Sequence, residues 1–361
     1  MAWDFSTDPE FEEQLEWMRA FVREEIWPIE PVASDLDQAA LDRIYAPLQE
    51  QVRERGLWAA HLDPELGGQG FGQVPEPEPS PDETLVVVEA YSVNRGELFL
   101  LESPREGWRP GQDVAGHVER TAADGSGPAQ GARVVAHVPS GGWAPLVAAP
   151  TDALAVLPDA VGAPTACTLG VAGLTALRLL REAGTVAGRR VLVTGASGGL
   201  GHFVVELAAA QGALVSAVSS SPERGERLLA LGAAEIVTDV ASAEGPFDVV
   251  FESVGGPSLE ATVTRVAPHG TLIWLGQASR RPATLDFFEV VSAAPYARIV
   301  PFTYWRTGAS DADDLATLVR LVAAGHVHPE IGLQADWRET PDVLIALAER
   351  RVRGNAVLTL A

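Results

Sequence analysis

The sequence predicts an α/β chain: a doubly wound parallel sheet with helices on both faces, preceded by a small β-rich unit and by an α-helical segment. Three observations predict it. From about residue 160 to residue 285, strand-like runs alternate with helical ones, the pattern of a sheet built from βαβ units. Those strands are almost continuously apolar, as strands buried on both faces must be. Between residues 83 and 158 the pattern is instead short β runs between Gly, Pro and Asp turns.

The elements follow in order. Residues 1–74 hold 16 acidic residues against 5 Arg and space apolar residues helically at Phe11, Leu15, Met18 and Val22, then at Leu41, Ile44, Leu48 and Val52. Asp8 before Pro9 is an expected N-cap, and Pro28 and Pro31 close the first helix. Pro75-Glu-Pro-Glu-Pro-Ser-Pro-Asp82 fits neither helix nor central strand, so residues 75–82 are expected to form an extended linker and a domain boundary. Expected strands are Thr84–Ala90, Arg133–Val138 and Ala144–Ala149 in the β-rich part, then Arg190–Thr194, Leu214–Val218, Glu235–Thr238, Asp248–Glu252 and Thr271–Leu275. Helices are expected over Gly201–Gln211 and Pro222–Leu231. No short-period repeat is found.

Composition removes several function classes. A net charge of −23 over 361 residues argues against nucleic acid. All 26 basic residues are Arg, so no lysine exists for a Schiff base or a GK[ST] phosphate loop. A single Cys, Cys167, excludes internal disulfides and multi-thiolate zinc sites and fits a reducing cytoplasm. Asp4, Asp8, Glu10, Glu12, Glu13 and Glu16 crowd the start, unlike a secretory signal. No run is expected to reach the ~20 apolar residues of a membrane span, so a soluble, cytoplasmic protein acting on a small molecule is expected.

The sharpest signal is Val191-Leu-Val-Thr-Gly195-Ala196-Ser197-Gly198-Gly199-Leu200-Gly201, a strand entering a glycine-rich turn and then a helix. Small residues let backbone N–H groups and the positive helix end approach a pyrophosphate. A ligand-free helix-start turn is the alternative reading. About 20 residues on, where an NAD site presents an acid to the ribose, the next strand ends in Ser219-Ser220-Ser221-Pro222-Glu223-Arg224. Three hydroxyls and a guanidinium suit a 2′-phosphate, which points to NADPH. An exposed helix start is the alternative role for Arg224.

Residues 75–361 resemble the medium-chain dehydrogenase/reductase superfamily, specifically its zinc-free quinone oxidoreductase branch. The resemblance is carried by Tyr91-Ser-Val-Asn94-Arg-Gly-Glu97, Arg109-Pro-Gly-Gln112-Asp113-Val-Ala-Gly116, Gly170-Val171-Ala-Gly-Leu-Thr175-Ala176, the glycine turn, Glu252-Ser-Val-Gly-Gly256 and Arg351-Val-Arg-Gly354-Asn355-Ala-Val-Leu358. It implies a Rossmann domain (159–284) inserted into a GroES-like β domain (83–158, rejoined by 285–361), NADPH in the cleft, and commonly a homodimer. It also implies cofactor contacts at Ala196 to Gly201, Ser219 to Ser221, Arg224, Val254, Gly276 and Asn355. The catalytic zinc ligands of related alcohol dehydrogenases match Asn94, Gln112 and Val171, none able to supply a thiolate or imidazole, so no metal is expected. Hydride transfer then relies on placement and hydrogen bonding. Asn94 is the expected donor near the substrate, with turn stabilisation as its alternative role; Thr175 is placed beside the nicotinamide, and Gln112 and Val171 line the substrate pocket. Relatives often place a Tyr shortly after the Asn94 position; this chain has Phe99 and Leu100, which leaves the proton donor unassigned. An enoyl-thioester reductase and a non-catalytic NADPH-binding fusion are the alternative functions.

Met1-Ala-Trp-Asp-Phe-Ser-Thr-Asp-Pro-Glu-Phe, Gly56-Leu-Trp58 and Leu62-Asp-Pro-Glu-Leu-Gly67-Gly68-Gln-Gly70-Phe-Gly72 resemble the start of an acyl-CoA dehydrogenase. Only Val74-Pro75-Glu76-Pro77 remains of the usual quinone oxidoreductase opening, so the β domain is expected to lack its first strands, as in a gene fusion. The expected consequence is an unpaired sheet edge covered by the new helices.

Overall fold

The structure, a computed structural model, describes residues 9–29, 38–55, 76–102 and 108–360. The chain divides into two compact units, Met1–Glu76 and Pro77–Ala361. In the first, helical spacing yields a helix over Pro9–Phe21 that widens into a π-helical turn, Val22–Ile26, and a second helix over Gln38–Glu54. Trp17 stacks on Phe21, and Arg55 lies over the Trp17 ring. The second helix runs through Pro47, a residue that removes one helical hydrogen bond. The Asp8 cap, Pro31, the stretches Met1–Asp8, Gly56–Trp58 and Leu62–Gly72, and Val74-Pro75 lie outside the described residues.

The second unit holds two sheets. The first contains β1 (Glu83–Val93), β2 (Asp113–Arg120), β3 (Arg133–His137), β4 (Leu146–Pro150) and β5 (Leu154–Val156). The second contains β6 (Arg190–Val193), β7 (Leu214–Val218), β8 (Glu235–Val237), β9 (Phe247–Glu252), β10 (Val266–Trp274) and β11 (Arg298–Pro301). The chain then returns with β12 (Ile331–Asp336) and β13 (Asn355–Thr359), giving the first sheet the order β12-β13-β1-β2-β3-β5 with β4 beside β1.

β1 is paired on one side with β2 over Leu85–Tyr91; on the other it meets β4 over Glu83–Val87 and β13 over Ala90–Val93. The strand that follows the linker is thus flanked on both sides, while β4, which pairs with β1 alone, keeps one edge without a strand partner among the described residues.

The second sheet is parallel throughout, in the order β11-β10-β9-β6-β7-β8. Alternate residues of its central strands face different cores: Val191, Val193, Val249, Phe251 and Ile273 pack with Phe203, whereas Leu192, Val250 and Leu272 pack with Leu259 and Val263. This two-sided burial is why these strands read as unbroken apolar runs. The expected strands and helices of this region all form, most within one or two residues of the expected ends; β10 starts five residues early. β2, β5, β11, β12 and β13 had no matching expectation. β2, for example, opens on Asp113 and breaks its apolar residues with Gly116 and His117.

Ala163–Ala183 is one continuous helical run of 21 residues with a mean hydropathy of 1.3. Such a run is long and apolar enough to cross a membrane, contrary to the expectation that none would be. It is 78% buried in the fold and changes from α to 3-10 to π geometry before the helix Thr175–Ala183, so it serves as a core element here.

Candidate active site

The glycine turn joins β6 to the helix Gly199–Ala210. Gly198 donates to the Gly195 carbonyl at 3.0 Å, and Ala196 donates to the Val218 carbonyl of β7 at 3.0 Å. A Cβ on Gly201 would lie 2.5 Å from the Gly195 oxygen, so only glycine lets the helix start this close to the turn. No side chain caps that helix. His202, fully buried behind the turn, bonds through Nδ1 to the Gly198 carbonyl at 3.1 Å and accepts the Glu330 N–H on Nε2 at 2.9 Å. It is therefore neutral, and burial pushes its pKa down to about 4. Opposite the turn, Gly354 donates to the Ser197 carbonyl at 3.0 Å and bridges Gly198, which ties the lead-in of β13 to the turn.

At the end of β7, Ser219 is buried and its hydroxyl has no partner. Ser220 is exposed. Ser221 caps the helix Pro222–Ala230 by accepting the Arg224 N–H. Arg224 donates to the carbonyls of Arg350 at 3.0 Å and Val352 at 2.6 Å, so it anchors the segment before β13 as well as facing the strand end. Burial first, and then the charges of Arg350, Arg224 and Arg280, hold Arg95 below its ordinary pKa. Four guanidiniums from four elements thus gather in a chain of net charge −23. Arg280 is paired with Glu102. Arg95, Phe99, Ser279, Arg280 and Arg350 line a groove of about 650 Å³.

Val254 and Gly276 lie at the ends of β9 and β10. Glu252, fully buried, accepts the Val254 and Gly255 N–H groups at 2.8 Å each and the Ser258 hydroxyl at 3.0 Å, which fixes that loop. Asn355 is buried beneath Gly199 and bonds through Nδ2 to the Glu330 carbonyl at 3.1 Å. It braces the turn from below.

The positions that match the zinc ligands converge on Asp113, which is fully buried at the start of β2. Its carboxylate accepts Ser92 Oγ at 3.0 Å, Asn94 Nδ2 at 2.8 Å, the Val171 N–H at 2.9 Å and His137 Nδ1 at 2.8 Å. A Cβ on Gly170 would lie 2.0 Å from Asp113 Oδ1, so the carboxylate can meet this backbone only at a glycine. Val171 keeps its side chain half-buried beside the cluster, and Thr175, buried, opens the next helix. Asn94 spends both amide protons, on Asp113 and on Ser92 Oγ at 3.2 Å. This corrects the expectation that it donates to a substrate: its amide orients the carboxylate, and its own N–H is held by Glu97 Oε2 at 2.8 Å. Burial, then the nearby Asp113 charge, push Glu97 up to about 8.

Sequence reasoning missed His137 and Tyr304. His137 Nε2 lies 3.0 Å from the Tyr304 hydroxyl, which the Gln112 side chain also reaches, and the two rings meet edge-on. Burial and the Asp113 charge raise the Tyr304 pKa. The Tyr304 carbonyl accepts Arg178 Nη1 at 3.1 Å; Arg178, 3% exposed, is paired with Asp311 and Asp314. Among the described residues no three His, Cys, Asp or Glu side chains are placed to hold a metal ion.

Residues 231–358 match the family described as zinc-binding dehydrogenase. Two amides and a valine at the ligand positions, around a carboxylate already saturated by hydrogen bonds, do not fit zinc. The chain is 29% identical over 295 residues to the spectinabilin polyketide synthase system protein NorB of Streptomyces orinoci, covering 78% of this chain and 13% of NorB. It is 34% identical over 207 residues to a chloroplast envelope quinone oxidoreductase homolog of Arabidopsis thaliana, covering 53% of this chain and 61% of that one. The matched stretch is thus less than two thirds of either relative. A mycobacterial protein solved in complex with NADPH superposes with a TM-score of 0.72 at 24% identity, over 79% of this chain and 94% of that chain. With a parallel Rossmann-type sheet and a GroES-like sheet joined in this order, the chain from Pro77 onward has the fold of that solved protein and is similar in sequence to the zinc-binding dehydrogenase family and to a quinone oxidoreductase homolog.

Proposed function

We propose that this chain is a zinc-independent oxidoreductase that transfers hydride from NADPH to a quinone or an α,β-unsaturated carbonyl. The observation that carries the reading is the Asp113 cluster, a buried carboxylate held by four donors beside the positions that the resemblance matches to zinc ligands. Lewis-acid activation needs thiolate or imidazole ligands that this pocket lacks, whereas an acceptor already electron-poor does not require it. For the cofactor, the glycine turn leaves backbone room for a pyrophosphate, the orphaned Ser219 hydroxyl sits at the strand end that takes a ribose, and Arg95, Arg224 and Arg350 supply positive charge for phosphates. When bound, NADPH supplies the hydride. The chain's own residues hold the phosphates, brace the turn through His202 and Asn355, and shape the pocket at Gln112, Val171 and Thr175.

Steady-state oxidation of NADPH and NADH against quinones, enones and crotonyl thioesters tests this. NADPH turnover with a quinone or enone is the expected result; turnover confined to thioesters establishes the second reading, an enoyl-thioester reductase, which the likeness to NorB over 78% of the chain favours. Tight NADPH binding by calorimetry with no acceptor reduced would leave a non-catalytic binding protein.

A further inference from the structure

Hydride addition to a carbonyl-conjugated acceptor leaves negative charge on the substrate oxygen, and the pocket must then deliver a proton. Asn94 cannot, since both amide protons are spent. Phe99 and Leu100 carry no proton to give. Running through the same pocket, however, is a continuous chain: Tyr304 hydroxyl to His137 Nε2 at 3.0 Å, and His137 Nδ1 to Asp113 Oδ1 at 2.8 Å. It joins the loop after β11 to the ends of β3 and β2, so both sheets contribute to it.

We propose, on the basis of the hydride-transfer reading above, that Tyr304 is the residue that protonates the substrate oxygen, with His137 as its proton store and Asp113 as the group that positions His137. As hydride from the nicotinamide adds to carbon, the substrate π pair moves to oxygen and the nicotinamide is oxidised by two electrons. The Tyr304 O–H breaks toward that oxygen, and the His137 imidazolium gives its Nε2 proton to the tyrosine oxygen. His137 ends neutral, with Nδ1–H still on Asp113, and solvent reprotonates it; an enone leaves as the enol and a quinone as its reduced form.

Three features of the structure suit this role. The Tyr304 ring is fixed at both ends, its carbonyl by Arg178 and its hydroxyl by His137 and Gln112. The Asp113 carboxylate is fully buried and meets His137 Nδ1 at 2.8 Å, which fixes the ring with Nε2 toward the Tyr304 hydroxyl. Tyr304 is also held by burial and by the charges of Asp113 and Asp311 from ionising alone, so it passes a proton only while receiving one. Cys167, buried and pushed up by burial and Asp113, offers no competing thiolate.

The test compares wild type with Tyr304→Phe and His137→Gln on the acceptor the wild type reduces best, after calorimetry confirms NADPH affinity. NADPH deuterated at the transferred position reads the hydride step, and D₂O reads the proton step. Tyr304→Phe should lower kcat by about 100-fold or more, enlarge the solvent isotope effect and shrink the hydride isotope effect, with KM for NADPH unchanged; His137→Gln should shift all three the same way. A kcat loss with the hydride effect kept or enlarged and the solvent effect unmoved would mean that Tyr304 only positions the substrate, overturning the proposal. An unaffected Tyr304→Phe overturns it while leaving the hydride-transfer reading intact. A wild type that binds NADPH and reduces no acceptor overturns both.

Discussion

At Glu97, burial and the Asp113 carboxylate together keep a proton on a carboxyl group at neutral pH. Its pKa rises from an ordinary 4.5 to about 8, so the folded chain holds a proton that the unfolded chain releases. Stability is therefore highest below the unfolded pKa and falls as pH rises through that window. Glu97→Gln keeps an acceptor for the Asn94 N–H and has nothing to ionise. It should raise stability by ~2–3 kcal/mol at pH 7 and by almost nothing at pH 4, read as urea midpoints at the two pH values. Equal midpoints at pH 7 would show that Glu97 is ionised in place. Gly170 is constrained by contact in a different way. Its added Cβ would strike the Asp113 carboxylate at 2.0 Å, so Gly170→Ala should displace that group, lower the melting temperature by several degrees and cut turnover by tenfold or more, about the effect of ~1–3 kcal/mol. A crystal structure of the variant with Asp113 unmoved would contradict this.

Among the elements, the glycine turn is held from behind and from below. His202 accepts the Glu330 N–H only while neutral. Its folded pKa of about 4 lies below the ordinary 6.5, so its contribution is present above pH 6.5 and fades as pH falls toward 4. Unfolding monitored from pH 7 to pH 4 should show this loss in the wild type and not in His202→Gln, which should start less stable at pH 7. Arg224 spans two elements, and Arg224→Ala should weaken NADPH by ~1–3 kcal/mol and NADH far less. Equal losses for the two cofactors would assign the residue to anchoring the carbonyls of Arg350 and Val352 alone. The turn could be read from sequence because strand, glycines and helix are contiguous and each leaves its own local mark. The Asp113 cluster could not: its donors come from residues 92, 94, 137 and 171, and only chain folding makes them neighbours. Asn94 was given a task that its hydrogen bonds do not leave free, because sequence shows that an amide is present but not where its protons go. Tyr304 follows a short edge strand and belongs to no periodic pattern, so nothing local marks it. β2 was missed for a related reason, since it opens on Asp113, the centre of that cluster, and its apolar residues are broken by Gly116 and His117.

For the molecule as a whole, the second unit is two sheets that share one return of the chain. β13 is paired with β1 in the first sheet, and the residue just before it, Gly354, is bonded to the glycine turn of the second. Gly354 sits at φ 71°, and an added Cβ would lie 2.5 Å from the Glu330 oxygen. Gly354→Ala should therefore lower stability by ~1–3 kcal/mol and loosen cofactor binding together with it; a loss of one without the other would show that the two are separable. Mechanically, this arrangement makes the end of the chain a pull-cord. Tension applied at residue 360 is borne first by the pairing of β13 with β1 and β12 and passes from there through Gly354 to Gly198, where the dinucleotide phosphates are proposed to sit, so a ligand clamped there would stiffen the molecule against that load.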